Sequence, residues 1–394
     1  MGGPLAGVRI VDCTAYIAGP FATMVLGDQG ADVVKIEPLG LGDVMRHLGT
    51  ARGGISTIFA GCNRSKRSLA IDLRNERGRE ILHQLVATAD VFVQNFRPGV
   101  VERLGIDEPA LRRLRPDLIY CSVSAFGQGG PWSRKPAFDH VIQAASGIAA
   151  VQADPATGEP RFVQNALVDK LTALTASQAI TAALYHRERT GEGQHVELSM
   201  LDSAVHFLWP DGMARDTLLG DGVVLRPPLA DAYRMIALKD GFAAVAAITE
   251  QQVHGIMRAV ERPEFIEDER FSTANALLQN LDAFRDEMAG AAAQMTVEQF
   301  VANFEREDVP CAAVVTPGEV MQHPQVVANE AVEEVEHPVL GRMRRPRPPA
   351  HFSATPAGVS RGVPTLGEHG DELLADLGLS EAERAELREQ GIVG

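Results

Sequence analysis

The sequence predicts an α/β protein with a largely parallel sheet, joined to a smaller α+β unit. Three observations carry this. Through the first 125 residues, short and almost uninterrupted apolar runs alternate with helix-periodic segments, the pattern of strands buried on both faces. The texture then changes after GDGVVLRPPLAD at 220–231, which has the Gly and Pro density of a linker. Finally, 394 residues exceed one ordinary core, so two domains are expected.

Taken in order, VRIVDC (8–13) is the first strand, and Gly19-Pro20 opens a helix over 20–28, with proline at a favoured early position. DVVKIE (32–37), SLAIDL (68–73), DVFVQN (90–95) and LIYCSVS (118–124) follow as strands, with helices over 76–88 and 108–115 between them. No G-x-G-x-x-G follows the first strand, so the wrapping is Rossmann-like without a dinucleotide fingerprint. From Asp169 a helix of about five turns runs to residue 189, with Ala173, Ala176, Ile180 and Ala183 on one line. TGEGQ then turns the chain into the strand HVELSM, and another helix starts near 200. Two strands around a Lys-Asp-Gly turn and helices over 250–261, 280–293 and 296–306 make the smaller unit. A proline-rich crossing that includes the basic RMRRPRP run leads to two amphipathic C-terminal helices.

A hydrophobic content of 45% and a charged content of 23% are those of a soluble globular protein. No apolar run reaches the roughly 18 residues of a membrane span, and MGGPLAGVRIVDC lacks the layout of a secretory signal. Cys13, Cys62, Cys121 and Cys311 lie far apart, which argues against zinc and against a disulfide framework. A reducing cytoplasm is therefore expected, with no membrane partner and no metal. The net charge of −15 excludes nucleic acid as a general partner and requires any anionic ligand to find a local positive cluster.

No H-E-x-x-H, G-x-S-x-G or P-loop is present, which removes the common hydrolase and kinase signals. Three features remain. Asp169 places a carboxylate on the packed face of a helix start. It reads either as an acid serving the helix terminus, or as a nucleophile kept ionised by the dipole and free N–H groups. Arg64, Lys66, Arg67, Arg74, Arg97 and Arg103 stand near strand ends, where ligands of open α/β sheets bind. Each alone reads as surface charge. Together, with Phe96 to stack a ring, they suit a nucleotide with several phosphates. The third feature is AYIAGPFATMVLGDQGA, whose small residues let a ligand approach the backbone after the first strand.

The segments PLAGVRIVDCTAYIAGPFATMVLGDQGADVVKIE, NRSKRSLAIDL, VFVQNFRPGVVERLG, AFDHVIQAASG, RERTGEGQHVELSMLD, HPQVVAN and PTLGEHGDELL occur in one order along the chain. In these it resembles the family III CoA-transferases, whose fold is shared by the α-methylacyl-CoA racemases. The resemblance implies a large Rossmann-like CoA-binding domain built from both chain ends (1–215 with 325–394), a small domain at 226–320, and an interlocked homodimer. It also implies that CoA moves from an acyl-CoA to a carboxylic acid through an aspartyl anhydride and an aspartyl-CoA thioester. CoA enters as a substrate, with no permanently bound cofactor. Asp169 takes the nucleophile's place. The CoA contacts fall on Ile17, Ala18, Ile71, Arg74, Asn95, Phe96, Arg97, Arg103 and the segment from Lys135 to Phe138.

Two departures stand out. Formyl-CoA transferases carry an arginine where this chain has Pro38, so one phosphate or adenine contact is either lost or supplied from elsewhere, Arg64 and Lys66 being candidates. The racemases have a histidine where this chain has Phe138. His140, two helical residues on, would point about 200° away, which favours transferase over racemase. A CoA-binding protein without turnover is the reading from another class, and a carboxylate on an apolar helix face argues against it.

Overall fold

The computed structural model describes residues 2–394. The chain divides into two compact units: one runs to Pro210 and resumes at Asn329, and the other spans Asp211–Ala328.

The first unit is built on six strands: β1 (Arg9–Cys13), β2 (Asp32–Glu37), β3 (Lys66–Ala70), β4 (Val91–Gln94), β5 (Ile119–Ser124) and β6 (His195–Ser199). They lie in the order β3-β2-β1-β4-β5-β6, and all five pairings are parallel. This is a doubly wound order whose direction reverses between β1 and β4, where open sheets of this kind leave a crevice at the strands' carboxyl ends.

Alternation along the strands explains why they read as continuous apolar runs. Ile10, Val33, Val91, Val93, Ile119 and Cys121 face one layer, packed on α1 (Ala18–Asp28) and on the long helix Leu167–Thr190. Val11, Val34, Phe92 and Tyr120 face the other, packed on α2 (Glu76–Ala87), on α3 (Glu108–Leu114) and on leucines of two C-terminal helices. Both faces are covered, so neither needs polar residues. Ala22, Ala173, Ala176 and Ala183 are all buried between the first layer's helices and the sheet, where small side chains permit close approach.

β3 begins two residues before the apolar run that predicts it. Its first residues are Lys66 and Arg67, buried charges that a hydropathy pattern assigns to a loop.

Further helices that matter for the site are α4 (Asp139–Ala145), α5 (Leu167–Thr190) and α6 (Met200–Gly212). The second unit holds three antiparallel strands, β7 (Ile236–Ala237), β8 (Phe242–Val245) and β9 (Cys311–Ala313), with β8 in the middle. Its helices α7 (Glu250–Ala259), α8 (Leu281–Ala292) and α9 (Val297–Arg306) close a core around Met257, Phe265, Phe271, Phe284, Phe300 and Phe304. Capping boxes at Thr249 and Thr296 start α7 and α9.

The expected proline-rich crossing is an antiparallel hairpin, β10 (Val332–His337) with β11 (Gly341–Pro346). Its arginines are partnered within the hairpin: Arg342 and Arg344 bond to Glu334, and Arg345 to Glu333. The helices α10 (Gly370–Asp376) and α11 (Glu381–Glu389) return the chain to the first unit's core.

No described helix is long and apolar enough to cross a membrane. The four cysteines carry free thiols. Among the described residues no group of His, Cys, Asp and Glu is arranged to hold a metal ion.

Candidate active site

At the reversal point a cavity of about 460 Å³ opens, within the range of small-molecule sites. Three strand ends supply its floor: β1 through Tyr16, Ile17 and Ala18, β4 through Asn95, Phe96, Arg97 and Pro98, and β5 through Val123, Ser124 and Ala125. Met45 and Leu48, the segment from Ser133 to His140, Ala166, Asp169 and Met200 complete the wall.

The loop after β1 is held at Thr14 and Ala15. Buried Asp12 accepts from the Thr14 amide at 2.9 Å and from its hydroxyl. Lys35 donates to the Thr14 carbonyl at 2.9 Å and to Asp43 at 3.0 Å. Asn95 grips Ala15 from both sides, accepting from its amide at 3.0 Å and donating to its carbonyl at 2.8 Å. Gly19 is obligatory beneath this loop, because a Cβ there would lie 2.4 Å from Thr14.

Asp169 is the third residue of α5, since the helix starts at Leu167 rather than at Asp169. It is therefore not the capping residue, and its carboxyl accepts no hydrogen bond among the described residues. Its own amide donates to Asp139 Oδ2 at 2.9 Å. Burial first, and the neighbouring Asp139 carboxylate second, push the Asp169 carboxyl up to about 7, against a smaller opposing effect of Lys170. The expectation that the helix terminus keeps this group ionised is thus corrected: desolvation and a like charge outweigh it. Lys170 is turned aside, donating to Asn165.

Asp139 is not among the residues the sequence singles out as candidates, yet it stands beside Asp169. It begins α4 and is buried. Gln143, one turn on, donates to it at 2.6 Å, and Gln143 in turn accepts from the Val163 amide at 2.9 Å. The Asp-x-x-x-Gln spacing in DHVIQ is the signal that was available.

Of the expected CoA contacts, Ile17, Ala18, Asn95, Phe96, Arg97, Lys135 and Phe138 line the same cavity as Asp169. Ile71, Arg74 and Arg103 do not. Ile71 is buried in the core beneath the sheet. Arg74 is exposed and bonded to Asp72 at 2.9 Å. Arg103 is exposed on the short helix Val100–Leu104.

The positive scatter also resolves into distinct jobs. Arg64 bonds to Asp28 at 2.8 Å, Lys66 to Asp12 at 2.9 Å and Arg67 to Asp32 at 2.6 Å, all three cations being buried. None is available to replace a phosphate contact at Pro38. Lys135 lies over the Trp132 ring at 3.7 Å, and Arg97 carries no ion pair among the described residues.

His140 also lines the cavity, contrary to the helical-wheel argument. The reason is that α4 begins only at Asp139, so Phe138 is still extended and the angle between them is not that of a helix. From the start of α6, Met200 lines the cavity, whereas Phe207 and Trp209 are exposed and Leu208 is buried.

The sequence pattern of CoA-transferase family III matches residues 5–370. A succinyl-CoA:glutarate CoA-transferase from Homo sapiens is 33% identical over 397 residues, covering 99% of this chain and 90% of that protein. A succinyl-CoA–D-citramalate CoA-transferase from Chloroflexus aurantiacus is 31% identical over 399 residues, covering 99% of this chain and 98% of its own. The crystal structure of a CAIB/BAIF family protein from Brucella suis superposes with a TM-score of 0.84 at 30% identity, covering 96% of this chain and all of that one.

Proposed function

The chain belongs to CoA-transferase family III, and on that premise we propose that it moves CoA from an acyl-CoA to a carboxylic acid with Asp169 as nucleophile. One observation carries the reading: a half-buried carboxyl with no hydrogen-bond donor, pushed up to about 7, in a cavity at the sheet's reversal point. A carboxylate this basic is more nucleophilic than an ordinary one, yet is still largely ionised slightly above neutrality.

The Asp169 carboxylate attacks the thioester carbonyl. The C–S bond breaks, CoA leaves as thiolate, and an aspartyl–acyl anhydride remains. The thiolate attacks the aspartyl carbonyl of the anhydride, expelling the donor acid as carboxylate and leaving an aspartyl-CoA thioester. The acceptor carboxylate attacks that thioester and releases the thiolate again. Finally the thiolate takes the acceptor's acyl carbon from the second anhydride and frees Asp169. No net proton moves. Anhydrides hydrolyse readily, so the packed wall around Asp169 serves to exclude water.

The nucleotide end would meet Phe96, Arg97 and Lys135, with Ile17, Ala18, Asn95 and Phe138 against the pantetheine. Arg74 and Arg103 would act outside the cavity, and Ile71 only through its main chain, because its side chain is buried. CoA is substrate here, and no resident cofactor is invoked.

A second reading has one observation in its favour. His140 shares the cavity with Asp169, so the pair could exchange an α-proton of an acyl-CoA as a racemase. One experiment separates the readings. Purified protein in heavy water receives acyl-CoAs with and without free acids, and the CoA esters are weighed by mass spectrometry. New acid–CoA pairs that vanish in Asp169→Ala are expected. Deuterium gain at the α-carbon without exchange of acyl groups would replace transferase by racemase. CoA-ester binding with neither reaction would leave a binding protein.

A further inference from the structure

Tyr16 lies in the left-handed region, at φ 69°. For a bulky residue other than glycine this conformation is costly, and such strain collects where a site depends on it. Four residues of the surrounding structure impose it. Thr14 and Ala15 are tied to Asp12, Lys35 and Asn95, and the Tyr16 amide itself reaches Asp43 Oδ1 at 3.4 Å. Asp43 is in turn fixed by the buried Lys35 at 3.0 Å.

What the strain achieves is visible in the ring. Tyr16 meets Phe138 edge to face, with centroids 5.3 Å apart. Both side chains line the cavity that holds Asp169, and each keeps roughly half its surface open, 42% for Tyr16 and 51% for Phe138. They come from different parts of the fold, one from the β1 loop and one from the start of α4. Neither ring is needed to fill a core. Nothing bonds to the Tyr16 hydroxyl among the described residues.

We propose that Tyr16, held in this strained conformation against Phe138, forms an aromatic wall that sets which acyl groups the cavity accepts. The wall excludes bulky acyl groups, and the clamped loop keeps it from swinging aside. This rests on the reading of the cavity as an acyl-CoA site, but not on the transfer chemistry.

The test measures binding, which needs no turnover. Affinities of free CoA, acetyl-CoA and benzoyl-CoA are taken by titration calorimetry for the wild type, Tyr16→Phe, Tyr16→Ala and Tyr16→Gly. The Ala and Gly variants should shift the benzoyl-to-acetyl affinity ratio at least tenfold toward benzoyl, and Tyr16→Phe should keep the wild-type ratio. A removed steric wall is expected to act on this scale. Because glycine takes a positive φ without penalty, Tyr16→Gly should also melt at a higher temperature than Tyr16→Ala.

Ratios within twofold of wild type in both truncated variants, with melting curves showing folded protein, would overturn the wall. A ratio relaxed as much by Tyr16→Phe would overturn it too, assigning selectivity to the hydroxyl. If the wild type exchanges no acyl groups yet the ratio still shifts, the transferase reading fails while the wall stands. Failure of the wild type to bind any CoA ester would defeat both.

Discussion

At the scale of single residues, the proposed chemistry rests on Asp169 and Asp139. Burial and Asp139 push the Asp169 carboxyl up to about 7, so with Asp169 in the proposed role of nucleophile, activity should be lost on acidification. We expect kcat/KM for transfer to rise about tenfold per pH unit below about 7 and then level off, as the free enzyme's essential base ionises. Asp139→Asn keeps an acceptor for the Asp169 amide but removes the like charge, so it should move this limb to lower pH. An unmoved limb would mean that Asp139 acts by hydrogen bonding alone. Stability runs in the opposite sense. The folded value lies above the unfolded 3.8, so the folded state holds the extra proton between the two. Stability contributed by this group is therefore lost as pH rises from about 4 to about 7. Asp169→Asn should match wild type in urea near pH 4 and exceed it at pH 8 by up to about 4 kcal/mol, less whatever solvent screens.

Whole elements depend on buried ion pairs that no periodicity reveals. β3 enters the sheet with Lys66 fully buried, donating to Asp12 at 2.9 Å, to the Pro20 carbonyl at 2.8 Å and to Asn63 at 2.8 Å. Burial alone would raise the Asp12 carboxyl, but Lys66 and Lys35, with bonds from Lys66 and Thr14, hold it well below the usual range. Its contribution is present above pH 4 and is lost only in strong acid. Lys66→Met strips Asp12 of its nearest cation, and breaking a buried pair in this way costs about 3–5 kcal/mol. The urea midpoint should fall accordingly, whereas a surface pair such as Arg77–Glu80 should shift it by less than about 1 kcal/mol when broken. The same pairs mark where the sequence was legible. Strands β1, β2, β4 and β5 were readable because both their faces meet helices, which leaves most of their positions apolar even though β1 and β2 carry buried charges. The start of β3 was not, because Lys66 and Arg67 look like loop residues until Asp12 and Asp32 are brought beside them. Asp169 was legible as a charge on an apolar stripe. Its basicity was not, since it depends on Asp139, thirty residues away in sequence, and on a helix start two residues earlier than the pattern suggests.

On the scale of the whole molecule, the surface is unusual between residues 207 and 248. Phe207, Leu219, Val224, Tyr233 and Ile248 are 55, 90, 78, 71 and 94% exposed. Scattered apolar residues are normal on a surface, but so many large ones within one stretch favour contact with another chain. A second copy is the partner implied by the resemblance to the family III transferases, so a homodimer is proposed. Two copies that each carry −15 repel one another, and apolar contact must outweigh that repulsion. Added salt should therefore strengthen association by screening the charge, the reverse of an interface held by ion pairs. Sedimentation equilibrium should give twice the chain mass of 42.3 kDa at micromolar concentration, in low and high salt alike. Replacing Leu219 and Ile248 by aspartate adds four charges to a dimer at its apolar contacts and should shift the population toward monomer. A wild-type chain that sediments at its single-chain mass would remove the partner from the account, and the cavity around Asp169 would then have to exclude water with one chain's residues alone.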